Sequence, residues 1–372
     1  MFRWAVDRSG RAAEELAKFP IAAWEAGITQ PTMRQLEDFA RATYAPVGFL
    51  FLDEPPKEFV PIPDFRTFRD AGVRRASPNL LDTIYACEQR QEWFRAFAEA
   101  HGSEPVELVG SLTLDTSVTE AAQSLRDHLG FGIDRRAKFS NWTAALSGLS
   151  ERAEDAGVLV MINGVVGSNT QRRLDPKEFR GFALADDLAP VVFVNGGDTK
   201  AAQIFTLAHE LAHISLGESA VSRPDLAELD DAQRSERWCN QVAAELLVPL
   251  ASLGKAYQSR ADLTAELDRL AKIYKVSTLV VLRRIADAGL MDRSRYREAY
   301  EAELARVIEL AGERTPGGSF YNTTPVRVSK RFARALISDT LEGRTSHRDA
   351  FRLLDSKKFS AFQELGNRLG VA

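Results

Sequence analysis

The stretch Phe205-Thr-Leu-Ala-His209-Glu210-Leu-Ala-His213 decides how the middle of the chain is interpreted. Its two histidines are four residues apart, which places them one turn apart on the same face of a helix. Two imidazoles in this arrangement can bind one Zn²⁺ ion. Glu210 lies about 100° around the helix from His209, so we expect it to act as general base toward a zinc-bound water. The motif therefore predicts a zinc hydrolase centre in which His209 and His213 are metal ligands.

The residues that flank this motif favour a helix from Thr199 to Leu216. Asp198 or Thr199 can cap its start, and Gly217 can end it. The apolar residues within the segment recur at helical spacing. They are Ile204, Leu207, Ala208 and Leu211.

A third zinc ligand is expected from a neighbouring element, because catalytic zinc usually has three protein ligands and one water. Glu236 is the best candidate, since it lies 236 − 213 = 23 residues after His213, early in a helix predicted from Ala232 to Val248. Glu245 lies nine positions further along that helix, about 180° away, and is expected to face elsewhere. Cys239 is interpreted as a small core residue.

The pattern of the whole chain predicts an α+β fold that is mostly helical, with one small sheet. Three short runs rich in β-forming residues are predicted strands: Val158 to Ile162, Phe179 to Ala183 and Val191 to Val194. Helical periodicity predicts helices in the remaining segments. These are Ala12 to Lys18, Ile21 to Glu25, Thr32 to Thr43, Leu80 to His101, Thr119 to Leu129 and Thr264 to Ala288.

The composition indicates an ordinary globular protein, with 45% hydrophobic and 27% charged residues among 372. No apolar run approaches the roughly 20 residues that a membrane-spanning helix needs, and the first residues lack the apolar core of a secretory signal. Two cysteines are too few for a disulfide framework. We therefore expect a cytoplasmic protein that makes no membrane contact.

Two longer stretches resemble the ImmA/IrrE family of metallo-endopeptidases. The first runs through Glu178-Phe-Arg-Gly-Phe-Ala-Leu and Ala189-Pro-Val-Val-Phe-Val-Asn195 to the segment Asp198–His213. The second is Glu236-Arg-Trp-Cys-Asn240-Gln-Val-Ala-Ala-Glu-Leu-Leu-Val-Pro249. In the family, the glutamate that begins this second pattern is the expected third ligand, which supports Glu236. Cys239 stands where the family usually has alanine.

The N-terminal residues resemble a helix-turn-helix of the XRE type. The resemblance rests on Trp24-Glu25-Ala-Gly27, Gln30-Pro31-Thr32 and Leu36-Glu-Asp-Phe-Ala40. The helix that would enter the major groove, Pro20 to Ala26, has no Arg, Lys, Asn or Gln to contact bases or phosphates. We interpret this segment as a degenerate domain used for protein contact, with DNA binding as the lesser alternative.

The resemblance implies a zincin-like metallopeptidase core, a small sheet plus the zinc helix, with one Zn²⁺ per chain and helical flanking domains. Four domains are predicted: a helix-turn-helix-like domain at 1–57, a helical connecting region at 58–148, the metallopeptidase domain at 149–290 and a basic helical domain at 291–372. In residues 317–372, ten Arg and Lys stand against five Asp and Glu.

The implied function is a limited, regulatory cleavage of a partner protein such as a repressor. Peptidases of this build bind substrate as an added strand at a sheet edge, for which Val191, Val192, Phe193 and Val194 are the candidates. One alternative is a protein that neutralises a partner, such as a PIN-type ribonuclease toxin, without proteolysis. A second alternative is a helix-turn-helix transcription regulator.

Overall fold

The fold is taken from a computed structural model that describes residues 1–56, 58, 60–63, 76–222, 234–311, 325–356 and 358–371. The chain divides into two compact units. The first comprises Met1–Pro61 with Thr67–Tyr85, and the second comprises Ile62–Arg66 with Ala86–Ala372. One helix, α5 (Pro78–Ala100), runs through the boundary at residue 85.

The first unit is a small helical bundle built on aromatic packing. Its helices are α1 (Phe2–Ser9), α2 (Ala13–Leu16), α3 (Ile21–Glu25) and α4 (Met33–Thr43), followed by a 3₁₀ turn at Val47–Phe51. Phe39 makes edge-to-face contacts with Phe19 and Trp24, with ring centroids 5.3 and 5.8 Å apart. The segment expected to enter the major groove contributes only the five-residue helix α3. The helix-turn-helix resemblance stays a prediction.

The second unit contains a mixed four-stranded sheet and a separate two-stranded hairpin. The strands are β1 (Leu159–Asn163), β2 (Val165–Val166), β3 (Asn169–Arg173), β4 (Gly181–Leu184), β5 (Val191–Asn195) and β6 (Ala220–Ser222). The sheet order is β1-β5-β4-β6, and β2 pairs with β3. β5 is parallel to β1 and antiparallel to β4, which is antiparallel to β6.

Helices account for most of this unit, so the prediction of a mostly helical α+β fold is confirmed. They are α6 (Val118–Leu129), α7 (Ile133–Ala137), α8 (Trp142–Asp155), α9 (Lys200–Leu216), α10 (Arg234–Leu247), α11 (Leu250–Ala256), α12 (Leu263–Tyr274), α13 (Thr278–Asp287), α14 (Arg293–Ala311), α15 (Lys330–Leu341), α16 (His347–Leu353) and α17 (Phe359–Leu369). Within the ranges that the structure covers, none is long and apolar enough to cross a bilayer.

Helix α9 is the centre of the second unit. It packs against β4 and β5 on one side and against α8 and α10 on others. Every residue from Gln203 to Ser215 is buried. A helix enclosed on all sides carries its polar side chains into the interior, where they need partners or ligands. The histidine motif is therefore internal to the fold.

The predicted helical run from Thr264 to Ala288 is wrong in one respect, because the structure has two helices there. Lys275 adopts a left-handed conformation with φ 56° and ends α12. Ser277 then begins α13, where its side chain accepts a hydrogen bond from the Val280 N–H. A capping serine after a left-handed residue favours termination over a continuous helix.

A buried arginine caps the carboxyl end of α10 by hydrogen bonds to its last carbonyl groups. Arg136 is fully buried and donates from its guanidinium to the carbonyls of Leu247, at 2.5 Å, and Leu246, at 3.2 Å. Burial lowers the pKa of Arg136 to about 10, so the side chain is still charged at neutral pH. A cation at a helix C-terminus satisfies free carbonyls and opposes the helix dipole.

Replacing Arg136 by methionine should destabilise the second unit by about 3 kcal/mol, because the carbonyls of Leu246, Leu247 and Tyr274 lose a buried donor. Urea unfolding followed by tryptophan fluorescence would measure this loss. Arg135→Met is the matched control, since Arg135 is exposed on the same helix, and it should change the free energy of unfolding by less than about 0.5 kcal/mol. Equal effects of the two changes would contradict the capping role.

Candidate metal centre

Helix α9 brings His209 and His213 together. The Thr199 side chain caps the helix by accepting from the Ala202 N–H, and Gly217 ends it in a left-handed conformation. The two Nε2 atoms are 3.1 Å apart, and both side chains are fully buried. The predicted helix and the shared face of the two histidines are confirmed.

Glu236 reaches the same point from α10. Its Oε1 atom is 2.8 Å from His213 Nε2, and its Oε2 atom is 3.5 Å from His209 Nε2. Only 4% of the residue is exposed. Glu245, on the same helix, is directed elsewhere and forms an ion pair with Arg284. Of the two carboxylates considered, the structure brings Glu236 and not Glu245 to the histidines.

The spacing of these donor atoms suits a single zinc ion. Four ligands held tetrahedrally at about 2.0–2.1 Å from zinc lie roughly 3.3–3.4 Å from one another. The observed separations of 3.1 Å between the imidazoles, and of 2.8 and 3.5 Å to the Glu236 carboxylate, bracket this value. Two imidazoles and one carboxylate are also a donor set that catalytic zinc uses.

The charge state of the cluster favours a cation as well. Burial lowers the pKa of His209, although the nearby Glu236 carboxylate acts to raise it. The lowered pKa keeps the imidazole neutral, and a neutral imidazole is the form that binds a metal. Burial alone would raise the pKa of Glu236, but His209 and His213 hold it well below its usual range. Neutral imidazole beside an ionised carboxylate leaves a buried negative charge, which a divalent cation would compensate.

Glu210 lies beside this set of donors. It is fully buried, and its carboxylate is within 4.8 Å of both imidazoles. Its Oε2 atom is 3.5 Å from Ser222 Oγ, whereas Oε1 has no hydrogen-bond partner among the described residues. Burial, and then the charge of Glu236, raise the pKa of Glu210 well above its usual value. The carboxylate of Glu236 is thus the one within 3.5 Å of both Nε2 atoms, whereas Oε1 of Glu210 accepts no hydrogen bond from the described residues.

Ser222 is a member of the cluster that sequence reasoning missed. Its hydroxyl is 3.5 Å from Glu210 Oε2, 3.5 Å from His213 Nε2 and 3.3 Å from Glu236 Oε1. The residue ends β6, a strand of only three residues that was not predicted. A serine without a motif, in a strand too short for periodicity, has no sequence signal that distinguishes it.

Gly181 on β4 shapes the space around Glu210. A Cβ atom at this position would lie 2.8 Å from Glu210 Oε1, 2.6 Å from Thr206 Cγ2 and 2.8 Å from the Phe193 carbonyl oxygen. The carbonyl belongs to the central sheet and cannot give way. Only glycine at position 181 allows Glu210 its observed position. This explains why the stretch Glu178–Leu184, which resembles the family, has glycine at that position.

Gly181→Ala should therefore move the Glu210 carboxylate. We expect about a hundredfold loss of any hydrolysis that depends on Glu210, as for a displaced catalytic group, with the metal content unchanged. Gly254→Ala is the matched control, because a Cβ there meets nothing within 4 Å, and it should leave hydrolysis unchanged. If both variants kept full hydrolysis, Gly181 would have no part in placing Glu210.

The prediction that Val191–Val194 offers a sheet edge to a substrate is wrong. β5 pairs along its length with β1 on one side and with β4 on the other, and all five of its residues are buried. Its backbone groups are committed to these two neighbours and are not available to an added strand. The continuous apolar run is typical of a strand covered on both faces.

A buried two-histidine motif, a carboxylate from the next helix and an adjacent glutamate form one cluster, and the part of the chain that contains it resembles a known family. Residues 153–286 match the family model Peptidase M78, described as the IrrE N-terminal-like domain. The match supports an ImmA/IrrE-type domain at these residues, which include the whole cluster. Residues 328–368 match a domain of unknown function. No curated protein matches the chain.

Proposed function

We propose that the ImmA/IrrE-type domain is a zinc-dependent endopeptidase in which His209, His213 and Glu236 hold one Zn²⁺. The observation that carries this proposal is the convergence of His209 Nε2, His213 Nε2 and the Glu236 carboxylate within 3.5 Å of one another in the protein interior. Glu210 is the general base. The family match supports a peptidase.

A zinc ion bound there would supply Lewis acidity and lower the pKa of water to about 7. Glu210 Oε1 is free to accept a proton from the attacking water, while Ser222 holds Oε2 by a hydrogen bond. The raised pKa of Glu210 makes it a stronger base than an exposed carboxylate, and also a competent acid once protonated. Glu210 would then donate that proton to the departing amine.

The substrate we propose is a partner polypeptide such as a repressor, cut at a limited number of positions. His209, Glu210 and His213 are wholly buried, so an extended segment that enters the site suits it better than the surface of a folded protein. The flanking helical regions provide further surface for selecting that partner. Such selection fits regulation by cleavage at few positions, and an unfolded protein such as casein can still present an extended segment to the site.

Metal content and metal-dependent hydrolysis test this function together. Mass spectrometry of the purified protein should find about one zinc per chain, and the protein should cleave fluorescein-labelled casein. Chelation should abolish cleavage, and one equivalent of Zn²⁺ should restore it. A protein that binds no zinc, or that cleaves equally well without it, would exclude this mechanism.

A further inference from the structure

The outer edge of β6 is next to the metal centre. Within the described part of the chain, β4 is the only strand that pairs with β6, so the opposite side of β6 is the end of the sheet. Phe182 is the β4 partner of Val221. The following residue, Ser222, extends its hydroxyl into the cluster of Glu210 and Glu236.

The backbone of Val221 faces this outer edge. Its N–H donates to the carbonyl oxygen of Pro63 at 2.9 Å, away from β4. The N–H and C=O of one residue in a strand point to the same side, so both polar groups of Val221 are directed outward. Such an edge can pair with one extended chain by main-chain hydrogen bonds.

A chain paired with Val221 would continue past Ser222. Successive residues of a strand advance about 3.3 Å, and Ser222 Oγ is 3.5 Å from Glu210 Oε2. A paired chain would lie about 4.8 Å from β6, so its peptide bond opposite Ser222 would come near the cluster that contains Glu210. β6, and not β5 as predicted from the sequence, is therefore the strand that offers a sheet edge beside the metal centre.

Pro63 of the same chain occupies the place beside Val221 that a paired strand would take. Proline has no N–H, so Pro63 cannot return a hydrogen bond to the Val221 carbonyl. Pro61 and Pro63 are exposed, and Ile62 between them is half-buried. The chain bends at Pro61 and Ile62, so this segment does not continue as a regular strand beside β6. Pro63 thus makes one of the two main-chain hydrogen bonds that a paired strand would make with Val221.

We infer that the outer edge of β6 is the substrate-binding edge, and that Ile62 and Pro63 occupy it as an internal pseudosubstrate that an extended peptide must displace. This inference rests on the proposed peptidase function. The partner that fits is an unfolded segment able to form both hydrogen bonds with Val221, one of which Pro63 cannot form.

Two matched variants of the full chain test the occupancy. I62S/P63G removes the half-buried isoleucine and the stiff proline, whereas P55S/P56G makes the same Ser-Gly replacement earlier in the Pro-rich stretch. In zinc-free protein, deuterium exchange at the Val221 amide should be at least about tenfold faster in I62S/P63G than in the wild type or P55S/P56G. Equal exchange in all three proteins would overturn the inference.

A peptide binding experiment tests the edge directly. The probe is a fluorescein-labelled peptide with the sequence of residues 58–63, Glu-Phe-Val-Pro-Ile-Pro, titrated by anisotropy onto the zinc-free proteins. I62S/P63G should bind it about tenfold more tightly, because the tethered segment no longer competes at high effective concentration. Equal affinity for all three proteins would also overturn the inference.

Casein hydrolysis by the zinc-loaded proteins separates the two proposals. A lower KM for I62S/P63G alone supports both. If no variant cleaves casein while the exchange and binding differences hold, the peptidase function fails and the occupied edge stands. If all three cleave equally and exchange equally, the peptidase function stands and the pseudosubstrate fails.

Discussion

Glu210→Gln should reduce casein hydrolysis about a thousandfold while the zinc content stays near one per chain. Glutamine keeps the size of the side chain but cannot accept a proton, and removing a general base usually lowers the rate by about 10²–10⁴-fold. The carboxylate within 3.5 Å of both Nε2 atoms is that of Glu236, so the loss of the Glu210 charge should leave the proposed ligands in place. Turnover and zinc analysis of the same preparation would measure both quantities.

Glu107→Gln is the control for this change, since Glu107 is exposed in the same unit and should keep full hydrolysis. The same variant separates cleavage from partner neutralisation without proteolysis. If Glu210→Gln still performs the protein's cellular function in full, then proteolysis is not that function. In that case, neutralisation of a partner protein without proteolysis would be the better account of the function.

Glu236→Gln should weaken zinc binding on the order of a thousandfold, which is the loss of about one third of the roughly 12 kcal/mol that zinc binding provides. The amide retains one oxygen but loses the negative charge that faces both imidazoles. Competition with a fluorescent zinc chelator would measure the affinity. Hydrolysis at a fixed, low zinc concentration should fall in parallel.

Glu245→Gln provides the comparison on the same helix. Glu245 pairs with Arg284 away from the histidines, so its loss should lower stability and leave zinc affinity unchanged, with far-UV circular dichroism as the check on folding. If Glu245→Gln weakened zinc binding and Glu236→Gln did not, the third ligand would be wrongly assigned.

Local sequence patterns predicted several helices well, although α1, α7 and α8 were not predicted. The predicted Thr119–Leu129 is α6 at Val118–Leu129, and the predicted Leu80–His101 is α5 at Pro78–Ala100. Helix hydrogen bonds join residues four apart, so caps and periodicity within one segment contain the necessary information. The division between α12 and α13 was missed because it depends on a left-handed lysine, a conformation that the residue type does not signal.

The sheet was predicted only in part, because its order depends on contacts between distant segments. Three strands were expected near their observed positions, but β6 was not, and β5 lies at the centre of the sheet instead of its edge. Four consecutive apolar residues, Val191–Val194, were a signal for burial on both faces. That signal could have corrected the substrate prediction.

By itself, the sequence determined that His209 and His213 lie on one helical face with Glu210 beside them, because the turn of a helix places residues four apart in contact whatever surrounds it. Only the tertiary structure decided that Glu236 and Ser222 join them, that Gly181 leaves room for Glu210 and that Pro63 lies against β6. These relations link strands and helices far apart in the chain. Their physical origin is the packing of α9 between the sheet and α10, which no local pattern encodes.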